Sequence, residues 1–169
     1  MDKISTENNI FIKLLPIKTE RLEIKKTTIN DIDLLLKMDK QEETQKYLGG
    51  VKDKTREERI EFLKKKENNS SSLTVYLNDI PIGFIGLKNN TELSYIFDYD
   101  YWHKGYCTES CRELINIAFN KFNIRTINAN TIKENINSIK VLERLGFTFK
   151  EIVNKEDNIF LNYIISNKN

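Results

Sequence analysis

Between Arg21 and Lys26, Leu22 and Ile24 alternate with charged residues, the period of two that marks a half-buried strand. The period then lengthens. Ile32, Leu35 and Leu36 recur at helical spacing, and Thr28 or Asn30 stands where an N-cap belongs, so a helix is predicted through about Lys40. Ile60 and Leu63 predict a second helix from about Arg56 to Glu67, and the stretch near Tyr47-Leu48-Gly49-Gly50 reads as a flexible connection between the two. A β-meander follows. Its strands are Leu73–Asn78, Ile82–Lys88 and Glu92–Asp98, with turns at Asp79-Ile80-Pro81 and Asn89-Asn90. On the last of these, Leu93, Tyr95 and Phe97 share one face, and Glu92, Ser94, Ile96 and Asp98 the other.

The strongest periodic signal comes next. Cys107, Cys111, Leu114, Ile115, Ala118, Phe119 and Phe122 fall on one helical stripe. Ile124–Lys133 reads as a strand. Ile136–Leu145 reads as a short helix closed by Gly146, which suits a left-handed C-terminal cap. Phe147–Val153 and Ile159–Ile165 close the chain as a pair of strands around residues 154–158. The order β-α-α-β-β-β-α-β-α-β-β predicts an α/β (α+β) fold, a mixed sheet flanked by helices.

Composition narrows the class. A chain of 169 residues with 39% hydrophobic and 31% charged residues fits one globular domain. Residues 1–18 are expected to form a loosely held arm and residues 19–169 a single domain. Asn68-Asn69-Ser70-Ser71-Ser72 reads as a loop. A net charge of +2 does not suggest a nucleic-acid binder, which would show a clustered basic face. The N-terminal residues lack the apolar core of a signal peptide, and no run approaches the roughly 20 apolar residues of a membrane span. A cytoplasmic protein with neither a membrane nor a nucleic-acid partner is the expectation. Two cysteines without an export signal argue against a disulfide framework.

The candidate chemistry lies where the third meander strand meets the long helix, at Trp102-His103-Lys104-Gly105-Tyr106-Cys107-Thr108-Glu109. Gly105 lets main chain approach a ligand closely. The first turn of the helix offers free N–H groups and a partial positive charge, a ready anion site. Lys104 adds a charge at the mouth, and Thr108 can cap the helix or bond a phosphate. Glu109 suits the helix dipole but not a second anion. His103, Cys107 and Cys111 follow one another at spacings of four. A zinc reading fails because the cysteines fall on the core stripe and no fourth ligand is apparent. The aromatics Tyr95, Phe97, Tyr99, Tyr101, Trp102 and Tyr106 fit core and pocket lining better than a base-stacking platform, because the charges around them are mixed.

The same loop resembles the acetyl-CoA loop of the GNAT superfamily of N-acetyltransferases, and more narrowly that of the ribosomal-protein serine/alanine N-terminal acetyltransferases. Three further segments match in order: Thr19-Glu20-Arg21-Leu22, Glu92-Leu93-Ser94-Tyr95, and Asn135-Ile136-Asn137-Ser138-Ile139-Lys140-Val141-Leu142-Glu143-Arg144-Leu145-Gly146-Phe147. The resemblance implies a mixed, largely antiparallel sheet of about seven strands with four helices, splayed between the fourth and fifth strands. It implies that pantetheine pairs with backbone groups of Tyr95, Ile96 and Phe97. The amides of His103, Lys104, Gly105, Tyr106, Cys107 and Thr108 would hold the pyrophosphate, and Asn135 would contact the pantetheine arm. Cys107 stands where the family has a small residue, and His103 replaces a common glycine.

The implied reaction is direct attack of a primary amine on acetyl-CoA without a metal, the acceptor being a protein N-terminus or a small molecule. The enzyme would be a monomer or homodimer. Many members carry a tyrosine acid seven residues after the helix asparagine; here Leu142 stands there. Ser138 matches the serine of the narrower group and becomes the candidate contact to the thiolate. Where some members carry a glutamate base, this chain has Asn130, so Glu92 is the candidate base. A non-catalytic acyl-CoA-binding module, and an antibiotic or polyamine acetyltransferase, remain as alternatives.

Overall fold

The computed structural model describes residues 10–68, 72–155 and 157–168. The strands are β1 (Ile17–Lys18), β2 (Glu23–Lys26), β3 (Ser72–Leu77), β4 (Ile80–Lys88), β5 (Glu92–Phe97), β6 (Thr126–Ile132), β7 (Thr148–Lys155) and β8 (Asn158–Ser166). The α-helices are α1 (Ile32–Lys40), α2 (Glu42–Gln45), α3 (Arg56–Asn68), α4 (Tyr106–Phe122) and α5 (Ile136–Leu145). All eight strands join one sheet in the order β1-β2-β3-β4-β5-β6-β8-β7. Every neighbouring pair is antiparallel except β5 and β6, which run parallel. One apolar core holds α4 and α5 against the sheet, with Ile24, Val75, Leu114, Ile127 and Leu142 at its centre. A second lies under α1 and α3, where Ile32, Leu35, Met38 and Leu63 meet Phe84, with Ile96 at its margin.

The expected elements are present, with differences that have local causes. Eight strands replace about seven because β1, two residues long, is too short to show a period. The fifth helix, α2, has the sequence Glu-Glu-Thr-Gln and no apolar stripe. It occupies part of the stretch read as a flexible connection. The first meander turn is Asn78-Asp79, both at positive φ (48° and 65°), so Ile80 and Pro81 belong to β4 rather than to the turn. The expected loose arm covers residues 1–9, which lie outside the described residues, and residues 10–18, which pack against the core. Phe11 is 1% exposed and meets Phe122 edge to face, and β1 pairs with β2. Of the loop at 68–72, residues 69–71 lie outside the described residues, as does residue 156 in the last turn.

Two features of this frame shape what lies at its centre. β5 pairs with β4 at six positions, from Gly83↔Phe97 to Lys88↔Glu92, but with β6 at one, Glu92↔Asn128. Beyond that point the two strands part, as the resemblance implied. The second feature is a brace. Glu109, in the first turn of α4, accepts bonds from Thr19 Oγ1 (2.6 Å), Arg21 N–H (2.9 Å) and Arg21 Nε (2.7 Å). Arg21 also donates to the Lys104 carbonyl at 3.0 Å and lies 4.6 Å from the centre of the Tyr106 ring. The entry to β2 therefore pins both the loop and the helix that follows it.

Burial raises the proton affinity of the Glu109 carboxyl, but the bonds from Thr19 and Arg21 outweigh it and hold its pKa below the ordinary value. A lowered folded pKa means stability that is fully present above the unfolded value, about 4.3 for Glu, and lost as pH falls through the folded one. Glu109→Gln should cost about 1 kcal/mol at pH 7, a modest figure because Arg21 is partly solvated. The gap between wild type and variant should close as pH falls from about 5 toward 3. Urea melts at both ends of that range check it, and a gap of constant size would show that charge is not what holds the brace.

Candidate active site

The gap between β5 and β6 opens into a cavity of about 440 Å³. β5 forms one wall, β6 and α5 another, and the N-terminus of α4 closes one end. Tyr95, Ile96, Phe97, His103, Gly105, Tyr106, Cys107, Thr108, Asn135 and Ser138 all line it, with Glu92 at the same cavity. Chain segments far apart in sequence thus meet around one space.

Lys104 is the exception. Its ammonium donates to the Asp100 carbonyl at 2.8 Å and lies 5.4 Å from the centre of the Tyr101 ring, so it clamps the preceding turn and does not line the cavity. The cations that do line it are Lys140 and Arg144 of α5. Arg144 also borders a shallow groove of about 640 Å³, with Arg21 and Arg112. Cavity and groove share Gly105, Thr108 and Arg144 and so run on into each other around the start of α4.

Strand geometry decides which main-chain groups face the gap. Asp98 N–H donates to the Ile82 carbonyl at 2.9 Å, which sets the alternation along β5. Ser94 and Ile96 therefore spend their amides and carbonyls on β4, while Leu93, Tyr95 and Phe97 direct theirs toward β6. The expectation that Ile96 lends backbone groups to a ligand is corrected on this ground: its contribution is its side chain. The Phe97 carbonyl is already bonded, accepting from Trp102 Nε1 at 2.9 Å and Thr44 Oγ1 at 3.4 Å. Tyr95 is the residue that presents both main-chain groups where the strands have parted.

The loop takes the shape its sequence left in question. His103 adopts φ 59°, a left-handed conformation that favours glycine, and its exposed ring sits edge-on to Trp102. Gly105 has φ 82° and begins α4 without a side-chain cap, so Thr108 does not cap the helix. Burial and the neighbouring Cys111 push the Cys107 thiol well above its ordinary pKa, so it stays neutral beside the cavity. Among the described residues, no three His, Cys, Asp or Glu side chains gather where a metal could be held.

Across the gap, Asn135 caps α5 by accepting from Ser138 N–H at 3.2 Å. The Ser138 hydroxyl is turned to β5, 2.8 Å from the Tyr95 hydroxyl. Burial pushes the Tyr95 phenol far above its ordinary pKa, the nearby cysteines adding to this, so it remains protonated. Glu92 receives a long bond (3.4 Å) from Asn130, whose carbonyl oxygen accepts from Asn162 at 2.8 Å. These three side chains step across β5, β6 and β8.

The far end is walled by Glu43, Thr44, Tyr47 and Leu48, with Phe160 of β8. The Tyr47 hydroxyl donates to the Glu134 carbonyl at 3.0 Å, tying this segment to the β6–α5 connection. Lys37 bonds Asp98 (2.6 Å) and Asp100 (2.5 Å), and Gln41 bonds Asp98 (2.7 Å), fixing the turn after β5 to α1. Lys37 lies in the last turn of α1 and Gln41 is its C-cap.

Comparison with known proteins agrees with this geometry. The model of the acetyltransferase (GNAT) domain matches residues 21–148. The uncharacterised N-acetyltransferase p20 of Bacillus licheniformis is 27% identical over 142 residues, covering 76% of this chain and 80% of its own. Among solved structures, the GNAT-family acetyltransferase of Bacillus anthracis has a TM-score of 0.81 at 24% identity, covering 90% of this chain and 99% of its own. A candidate ribosomal-protein-serine acetyltransferase of Vibrio cholerae has a TM-score of 0.75 at 18% identity (89% and 96% covered). The spermidine N-acetyltransferase of Vibrio cholerae, solved with CoA and spermine, has a TM-score of 0.72 at 15% identity (87% and 96%). With the family model spanning well over half of its length, this chain belongs to the GNAT acetyltransferases.

Proposed function

We propose that this protein transfers an acetyl group from acetyl-CoA to a primary amine within the cavity between β5 and β6. The observation that carries the reading is the single pairing of those strands, which leaves Tyr95 main-chain groups facing a gap that ends at the bare N-terminus of α4. An extended pantetheine chain, with its amides, supplies the bonds that β6 withholds. The amides from His103 to Thr108 hold the pyrophosphate at the helix N-terminus. Asn135 borders the pantetheine arm, and Ser138 the sulfur.

In this mechanism the acceptor nitrogen attacks the thioester carbonyl, and a β5 N–H directed into the gap stabilises the oxyanion. The C–S bond then breaks with its electron pair on sulfur, and the nitrogen loses a proton to a base or to water. Glu92, steadied by Asn130, is the base, acting through water. An amine of pKa near ~10.4 costs about 4.6 kcal/mol to deprotonate at pH 7, whereas an α-amine near ~7.8 costs about 1. A site whose carboxylate touches the acceptor only through water therefore suits an α-amine, such as a protein N-terminus, better than a lysine-like amine. Glu43 and Glu92, acids on the cavity wall, favour a cationic acceptor over an anionic one.

A non-catalytic acyl-CoA-binding module is the second reading. It is favoured by the burial of Leu142 in the core and by Asn130, which is no base. Thiol release from acetyl-CoA with N-terminal peptides, polyamines and aminoglycosides separates the two. Turnover on at least one acceptor is expected, fastest with the peptides; tight CoA binding with no turnover on any would leave the module. On the accepted amine, Glu92→Gln should lower kcat/KM about a hundredfold. A kcat/KM unchanged from wild type would remove Glu92 from the chemistry.

A further inference from the structure

The side chain of Tyr95 has a role that its main chain does not explain. Its hydroxyl lies 2.8 Å from Ser138 Oγ and 3.3 Å from the Ser138 carbonyl, and both residues line the cavity. That carbonyl also serves the hydrogen-bond ladder of α5, so the shorter contact to Oγ is the better use of the phenol proton. A serine hydroxyl has one proton on a free rotor. With the phenol donating into one lone pair of Oγ, the serine proton must point away from Tyr95, and the open direction is the cavity. Burial keeps the phenol protonated, so it is a donor at every working pH. Leu142, one turn further along α5, is 1% exposed and apolar. The polar partner of Ser138 comes across the gap, from β5.

We propose that Tyr95 is a positioning residue whose hydroxyl fixes the Ser138 proton toward the CoA sulfur, so that the leaving thiolate meets an oriented hydrogen bond. This rests on the assignment of Ser138 to the sulfur made above. No proton leaves either hydroxyl. A thiolate, whose conjugate acid titrates near ~8.5, is a weaker base than a phenolate near ~10 or higher, so full transfer would run uphill. The electron pair of the broken C–S bond stays on sulfur, and the thiolate takes up the proton given off by the acceptor nitrogen, by way of Glu92 or water.

The product alone provides the test, so the acceptor need not be known. An oriented donor lowers the pKa of the bound CoA thiol, and CoA affinity then rises with pH through the window between the bound and free values. Desulfo-CoA lacks the sulfur, and dividing by its affinity cancels the effect of the charged and titratable neighbours Glu43, Glu92, His103, Cys107, Cys111, Lys140 and Arg144 on the rest of the ligand. Calorimetric titrations from pH 6.5 to 9.5 should show this ratio rising about tenfold in the wild type, one pKa unit. In Tyr95→Phe the rise should fall below about threefold while desulfo-CoA binds as before, and in Ser138→Ala it should vanish. A full rise in Tyr95→Phe, or no rise in a wild type that binds CoA, overturns the inference. So does an equal loss of both ligands in Tyr95→Phe, which would make the ring structural only. A wild type that binds neither ligand overturns the cofactor reading itself, and the role of the pair with it.

Discussion

The parting of β5 from β6 is the constraint on which the rest of the site depends. A sheet strand with one bonded edge leaves every second amide and carbonyl without a partner, and such groups are costly where water is scarce. The protein meets part of this demand itself. Trp102 turns its indole N–H back onto the Phe97 carbonyl, and Asn128 N–H bonds the Thr91 carbonyl at 2.8 Å where the strands still touch. Between these two points Tyr95 stays open. The cavity is thus bounded at either end by a hydrogen bond onto a β5-side carbonyl, one from the Trp102 indole and one from the Asn128 amide.

The brace at Glu109 resolves a tension at the other end. A carboxylate in the first turn of α4 would oppose a phosphate held by the same turn. Here the carboxylate faces Thr19 and Arg21, which satisfy its charge, and Arg21 reaches on to the Lys104 carbonyl. The negative charge is spent on holding the loop, and the helix amides are left to act. The left-handed turns at His103 and Gly105 then expose those amides without a capping side chain in front of them.

How much of this was legible in the sequence followed from what each element is made of. The stripe from Cys107 to Phe122 and the alternation in Glu92–Asp98 are periodic and were read in place. The Gly146 stop was read too, because it is a local choice of residue with one geometric use. α2 was not legible: one turn of Glu-Glu-Thr-Gln is held by tertiary bonds, such as Gln45 Nε2 to the Met38 carbonyl (3.0 Å), and shows no period. Nor was the direction of the Ile96 main chain toward β4, since sequence shows which face a side chain takes but not which edge its amide takes. Lys104 misled for a similar reason. A charge next to a glycine looks like a ligand, but a long side chain can fold back onto the turn it came from.

The aromatic run from Tyr95 to Tyr106 shows how one composition serves two unlike roles. A stacking platform needs ring faces open to solvent. Here Tyr99 and Trp102 meet edge to face, Tyr101 tilts against Tyr106, and Tyr95 and Trp102 spend their polar tips on Ser138 and Phe97. The rings are wall material, and their polar ends are hydrogen-bonding tools. The end of the cavity at α4 thereby consists of main chain held by a rigid aromatic wall, which tolerates wide drift in sequence. The far end consists of side chains on α2 and the segment after it, with Phe160 of β8. A chain can therefore share this fold with relatives at identities near 15% and still differ from them at the far end, because the two ends of one cavity are built under different rules.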